Sequence, residues 1–265
     1  MRTKGKMIGW TLGLAAVAAL ITTGTVYAAS SDQPAAKPKK VNLSMDDMRQ
    51  VLVPLGEQPQ SRFVRGPVTL KQAAKDHAFE APPNMAFEPK VCATYLADVF
   101  GGLDSLNGWL QYGSRLHQDH NDNFIQVAVN IPKGIDLNKI KEAVMGCRKG
   151  TLTISDPLGT SAQKAVGDIT YTEREAPALP GAQTLAITGQ TVFHAKPGTA
   201  EGELVRKFEM PPDAQLLVNS KEACVENTTF TEAGNTLLVV MDADPQLANS
   251  LTQSMYSKVA QALKS

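Results

Sequence analysis

Two sets of residues in this chain of 265 have types and spacing that could do chemistry. The first is the run His117-Gln118-Asp119-His120-Asn121-Asp122-Asn123. Imidazoles and carboxylates are competent ligands for zinc or copper, and His117, Asp119 and His120 form the candidate metal set. The spacing speaks against it. Two residues between the histidines is not the arrangement that places two imidazoles on one helix face, and the glutamate of a metalloprotease motif is missing. Asn and Asp also stabilise turns by bonding their own backbone, so a polar hairpin tip holding no metal is the plainer reading.

The second set is the cysteines Cys92, Cys147 and Cys224. Their chemistry depends on compartment, and the N-terminus supplies one. Arg2, Lys4 and Lys6 precede an apolar stretch from Met7, and Val26-Tyr27-Ala28-Ala29 closes it with small residues. That is the layout of a secretory leader, with cleavage expected after Ala28. The alternative is an uncleaved anchor through residues 7–27, with the basic residues inside the cell. No cysteine lies near the leader, so a lipid-modified N-terminus is not expected. In an oxidising compartment cysteines form bridges more often than metal sites or nucleophiles. Cys92 and Cys147 are the preferred pair, each on the inward face of a helix beside the same hairpin. The chain-entropy model gives such a loop about 4 kcal/mol. Pairings through Cys224 stay open, as do a buried free thiol and a redox-active or intermolecular one.

Other candidates are weaker. Trp109 and Tyr112 could line a ligand groove, although aromatics on a strand are usually core. His77 and His194 stand alone. Asn227-Thr228-Thr229 matches a glycosylation acceptor, which we take as chance. No Gly-x-Ser-x-Gly elbow, phosphate-cradling glycine loop or dinucleotide fingerprint occurs. The chain is therefore expected not to be an enzyme and to use no cofactor. With 26 basic and 26 acidic residues overall, loss of the basic leader leaves a mildly acidic body, which excludes an electrostatic case for nucleic-acid binding.

These residues need elements to hold them. Residues 1–28 form the leader or anchor, and residues 29–43, rich in Ser, Pro, Ala and Lys, read as a flexible tether. Residues 44–88 are expected as an N-terminal helical extension. In it Ser44 caps a first helix with Asp47 at the capping-box position, and a second short helix runs from Thr69 to His77. The main domain is 89–265. Cys92, Leu96, Val99, Phe100 and Leu103 share one helical face, and Asp136 caps another helix in which Leu137, Ile140, Val144 and Cys147 do the same. Between them, Trp109–Leu116 and Phe124–Ile131 alternate as a hairpin joined by a longish loop, His117 to Asn123. Seven more strands follow: 151–155, 168–173, 184–193, 204–209, 215–219, 224–231 and 236–241. The last helix begins with Asp244 as cap and Pro245 at its first position, and its stripe of Leu247, Leu251, Met255, Val259 and Leu263 is expected to lie across a sheet face. The class is α+β, a mostly antiparallel sheet with helices packed on one face.

Pro89-Lys90-Val91-Cys92, the Trp109 hairpin, Val144-Met145-Gly146-Cys147-Arg148-Lys149-Gly150-Thr151-Leu152-Thr153 and the closing strand-Asp-helix from Leu237 to Leu263 resemble actinobacterial extracytoplasmic domains. The likeness is to the sensor-type ectodomain of a mycobacterial serine/threonine kinase and to related secreted or lipoprotein domains of unassigned function. It implies an α+β domain, a helix-to-helix disulfide and a role in sensing or binding at the envelope. Such ectodomains tend to carry two disulfides, which three cysteines cannot supply. The expected function is thus an exported, non-catalytic binding or sensor-like domain at the cell envelope. Its partner would be an unknown small molecule, lipid, glycan or envelope protein, and the chain is either secreted or tethered to the membrane. The alternatives are an envelope hydrolase or metal-dependent enzyme with an unmarked site, and a structural partner in an envelope complex.

Overall fold

The computed structural model describes residues 43–54, 57, 61–76, 84–89, 106–117, 120–132, 134–156, 162–196, 198–209 and 224–263. The leader or anchor, the tether up to residue 42, the Cys92 helix and the strand expected at 215–219 lie outside them. Among the described residues no helix is long and apolar enough to cross a membrane.

Alternating sequences give nine strands: β1 Ser61–Thr69, β2 Met85–Glu88, β3 Gly108–His117, β4 His120–Asn130, β5 Lys149–Ser155, β6 Lys164–Arg174, β7 Gln183–Phe193, β8 Cys224–Ala233 and β9 Thr236–Asp242. They form one sheet in the order β1-β3-β4-β9-β8-β7-β6-β5-β2, with every neighbouring pair antiparallel. The last hairpin made, β8-β9, therefore fills the middle. It turns tightly, Ala233 pairing with Thr236, and Gly234 takes the positive φ of 66° that the turn requires. Every residue of β9 is buried, as its unbroken Leu-Leu-Val-Val-Met run demands of a strand covered on both sides.

Five helices accompany the sheet: α1 Met45–Val51, α2 Leu70–Lys75, α3 Leu137–Gly146, α4 Ala200–Glu209 and α5 Pro245–Ala262. Successive side chains of a strand point to opposite faces, so β9 defines two layers. Leu238 and Val240 pack with Met48 and Val51 of α1 and with Leu251, Met255 and Val259 of α5. Leu237, Val239 and Met241 pack with Leu70 of α2 and with Ile140 and Val144 of α3. The expected antiparallel sheet with a helical layer is present, α5 lies across a sheet face as its stripe required, and the other face carries helices too. There Leu204 and Val205 of α4 pack on Leu152 and Ile154 of β5 and Ile169 of β6.

The caps explain where helices begin. Ser44 and Asp47 form the reciprocal capping box, Asp136 accepts from Asn138 N and Lys139 N, and Asp244 accepts from Gln246 N and Leu247 N. Ser44 bonds hold the exposed Asp47 carboxyl below its ordinary range. Leu43, assigned to the tether, is buried with α1 and α5.

Three expectations need correction. Residues 44–88 are not a helical extension alone, because they supply both edge strands: β1 pairs with β3 and β2 with β5. Residues 204–209 are the end of helix α4, not a strand; Thr199 Oγ1 accepts from Gly202 N at 3.1 Å and starts the helix. Finally, no long loop joins β3 to β4. Pairing continues to His117 opposite His120 and leaves only residues 118 and 119 between the strands.

Candidate ligand-binding face

The candidates named from sequence scatter. His117 and His120 close the β3-β4 ladder, Asp119 lies outside the described residues, and so do the side chains of both histidines. Among the described residues no three His, Cys, Asp or Glu side chains converge. Cys147 follows the last turn of α3, is 7% exposed among Phe87, Leu152 and Ile169, and is disulfide-bonded. Cys92 and the side chain of Cys224 lie outside the described residues.

Trp109 and Tyr112 go to opposite faces of β3. Tyr112 is core under α3. Trp109 packs with α1, donates Nε1–H to Met45 O at 2.7 Å, and carries the Arg49 guanidinium 5.4 Å above its ring. Beside it, paired Gln111 and Gln126 hold the chain that leaves α1. Gln126 Oε1 accepts from Val53 N at 2.8 Å and Gln111 Nε2 donates to Val53 O at 2.6 Å, all buried. Both aromatics are structural. His194 meets Asp168 at 3.0 Å on the surface, and His77 is outside the described residues. Asn227 is 2% exposed, accepting from Thr188 Oγ1 and donating to Ala243 O. A glycan cannot attach to it in the folded chain.

The row Tyr171–Gly189–Glu226 was not singled out from sequence. These residues are direct partners across β6, β7 and β8, so all three face the side that carries α3 and α4. The row is the seam between those helices. Ile169, one step along β6, packs in the α4 cluster, Glu173 on the other side is bonded to Lys141 of α3 at 2.5 Å, and Tyr171 touches the cores under both helices. Gly189 makes the seam possible. A Cβ there would stand 2.8 Å from Tyr171 Cε1, so only glycine lets the ring lie across β7 toward Glu226.

The electrostatics follow from that placement. Burial pushes the Glu226 carboxyl up to about 8, opposed by a hydrogen bond from Thr228 Oγ1 to its Oε1 at 3.1 Å. Burial, and then the Glu226 charge, push the Tyr171 phenol up as well.

No family model and no curated protein matches this chain. Solved structures do. The chain is similar to the extracellular domain of PknH from Mycobacterium tuberculosis, at 13% identity and a TM-score of 0.46, over 85% of this chain and 100% of that one. It is also similar to a putative uncharacterized protein, the Rv0999 ortholog, from Mycobacterium smegmatis, at 13% identity and a TM-score of 0.33, over 76% of this chain and 98% of that one. Both are mycobacterial, and one is a kinase extracellular domain, the kind of protein that the cysteine-bearing segments resemble.

Chemically, the seam offers a carboxylic acid that keeps its proton at neutral pH and a phenol that keeps its own. Each can donate one hydrogen bond and accept others. Neither is ready to act as a base, since a general base must give up its proton near the working pH. The arrangement suits recognition of an uncharged polar group in an apolar setting.

Proposed function

We propose that the chain is an exported, sensor-like binding domain of the cell envelope and not an enzyme, and that its ligand docks on the seam between α3 and α4. The leader-like N-terminus supports export, and the row Tyr171–Gly189–Glu226 carries the binding reading. A protonated Glu226 beside Tyr171 selects a hydroxyl, carbonyl or amide over an ion, because an anion would face a buried acid and a cation would have to ionise it. The apolar surroundings, Ile169 and Ile187 among them, favour a ligand that is otherwise apolar. We also propose Cys92 as the partner of Cys147, to be checked by non-reducing peptide mapping. Linkage of Cys147 to Cys224 would overturn that pairing.

Native mass spectrometry of protein purified from its own envelope tests the binding reading. The expected result is an adduct kept by the natural chain and by Glu226→Gln, and lost in Glu226→Leu. Protein free of any adduct, or an adduct indifferent to Glu226→Leu and Tyr171→Leu, would overturn it.

A further inference from the structure

The opposite sheet face holds a cation without a counter-charge. Arg174 ends β6, and its side chain runs over Ala186 of β7, which is 1% exposed, to reach Thr229 of β8. Nη2 donates to Thr229 Oγ1 at 2.6 Å, and Nη1 donates to Asn249 Oδ1 of α5 at 2.6 Å and to Glu175 O at 3.2 Å. All three acceptors are neutral. Burial alone lowers the Arg174 ionisation range, so neither Asp242, buried one row away on β9, nor the α5 cap Asp244 offsets the charge.

The unused donors are specific. A guanidinium has five N–H groups in a fixed planar fork. Two on Nη1 and one on Nη2 are taken, which leaves Nε–H and one Nη2–H. Nε is buried with no partner. Nε and Nη2 are adjacent nitrogens, and one edge of the guanidinium presents their hydrogens side by side, in the geometry that binds a carboxylate or phosphate through two parallel bonds. A half-buried guanidinium fixed by neutral oxygens, with that pair of nitrogens unsatisfied, is poorly explained as packing. A neutral side chain would fill the space without the loss of hydration.

The surroundings give the fork a surface to serve. α5 covers β9 and β8 on this face, and beyond Arg174 no described helix packs on it. Val166 of β6, Val192 of β7 and Val225 of β8 are 40%, 47% and 41% exposed there, with Thr170, Thr172 and Gln190 between them.

We propose that Arg174 is an oxyanion-docking residue, which takes the carboxylate or phosphate end of a ligand whose body lies along this open face. The site is on the other side of the sheet from the Tyr171–Glu226 seam and does not depend on it.

The test is a titration of 15N-labelled protein at constant ionic strength with inorganic phosphate and, separately, with acetate, read at the arginine Nε–H resonances. The Arg174 Nε–H signal should shift saturably and alone among the arginines. Tighter binding of phosphate than of acetate assigns the phosphate class, and the reverse assigns the carboxylate class. Arg174→Lys keeps the charge but loses the fork, and should weaken binding at least tenfold when followed at the Thr172 and Thr188 amides. An Nε–H signal unmoved by both anions, or one showing exchange with a long-lived water, would overturn the proposal. That outcome is read on the natural chain, so it stands even if the variant misfolds.

Discussion

A single carboxyl sets the pH response expected of this molecule. Its ordinary value is 4.5 and burial lifts Glu226 to about 8, so the folded chain holds that proton more tightly than the unfolded one. The stabilising effect is complete below about 4.5 and is lost as pH rises through 8. At about 1.4 kcal/mol per pKa unit, the loss is on the order of a few kcal/mol. Glu232, lifted by burial and by the charge of Asp136, acts in the same direction. The readout is therefore the difference between the natural chain and Glu226→Gln in denaturant melts at pH 5 and pH 9, and parallel pH dependences would contradict it. Gly189→Ala should cost about 1–3 kcal/mol, the usual penalty for overpacking, and should alter the Tyr171 environment in near-ultraviolet circular dichroism. Unchanged stability and spectrum would show that the ring does not need the glycine. Glu226 was legible in principle. Period-two counting puts it on the same face as Phe230, and a carboxylate in phase with a buried aromatic is a signal that a polar Glu-Asn-Thr-Thr stretch conceals.

Elements were readable where caps and stripes agreed, as in α1, α3 and α5, and unreadable where a local breaker outweighed the tertiary setting. β1 contains Gly66-Pro67, which reads as a loop. In the sheet it is an edge strand whose register shifts between Arg65 and Val68, with Gly66 at φ 97°, and an edge or bulge is where a strand tolerates proline. In α4, Leu-Val-Arg-Lys-Phe-Glu mimics strand alternation, Gly202 weakens the first turn, and the Thr199 cap follows a Pro-Gly that reads as a turn. The paired Gln111 and Gln126 were read as the polar phase of a hairpin, and they bond the main chain of Val53 instead. Replacing either by Leu should cost about 1–3 kcal/mol, because each leaves a buried backbone group unpaired. A double-mutant cycle in urea should show coupling of about 0.5 kcal/mol or more. Strict additivity would mean that the two amides act separately.

Across the whole molecule, stability should grade from the centre of the sheet outward. β9 is buried on both faces and sits between β4 and β8, while β1 and β2 each have one neighbour. Hydrogen exchange should therefore be slowest in β4, β9 and β8 and fastest in β1 and β2. Equal protection of β2 and β9 would contradict this order. The two edges have a practical corollary for anyone choosing where to cut the gene. A fragment begun at residue 89, where the prolines seem to announce a domain, would strip β1 from β3 and β2 from β5. It would leave a ten-residue and a seven-residue strand with naked amides and carbonyls at the two ends of the sheet. Such margins recruit strands from other chains, so the shortened protein should precipitate or polymerise, and soluble preparations should start no later than Leu43.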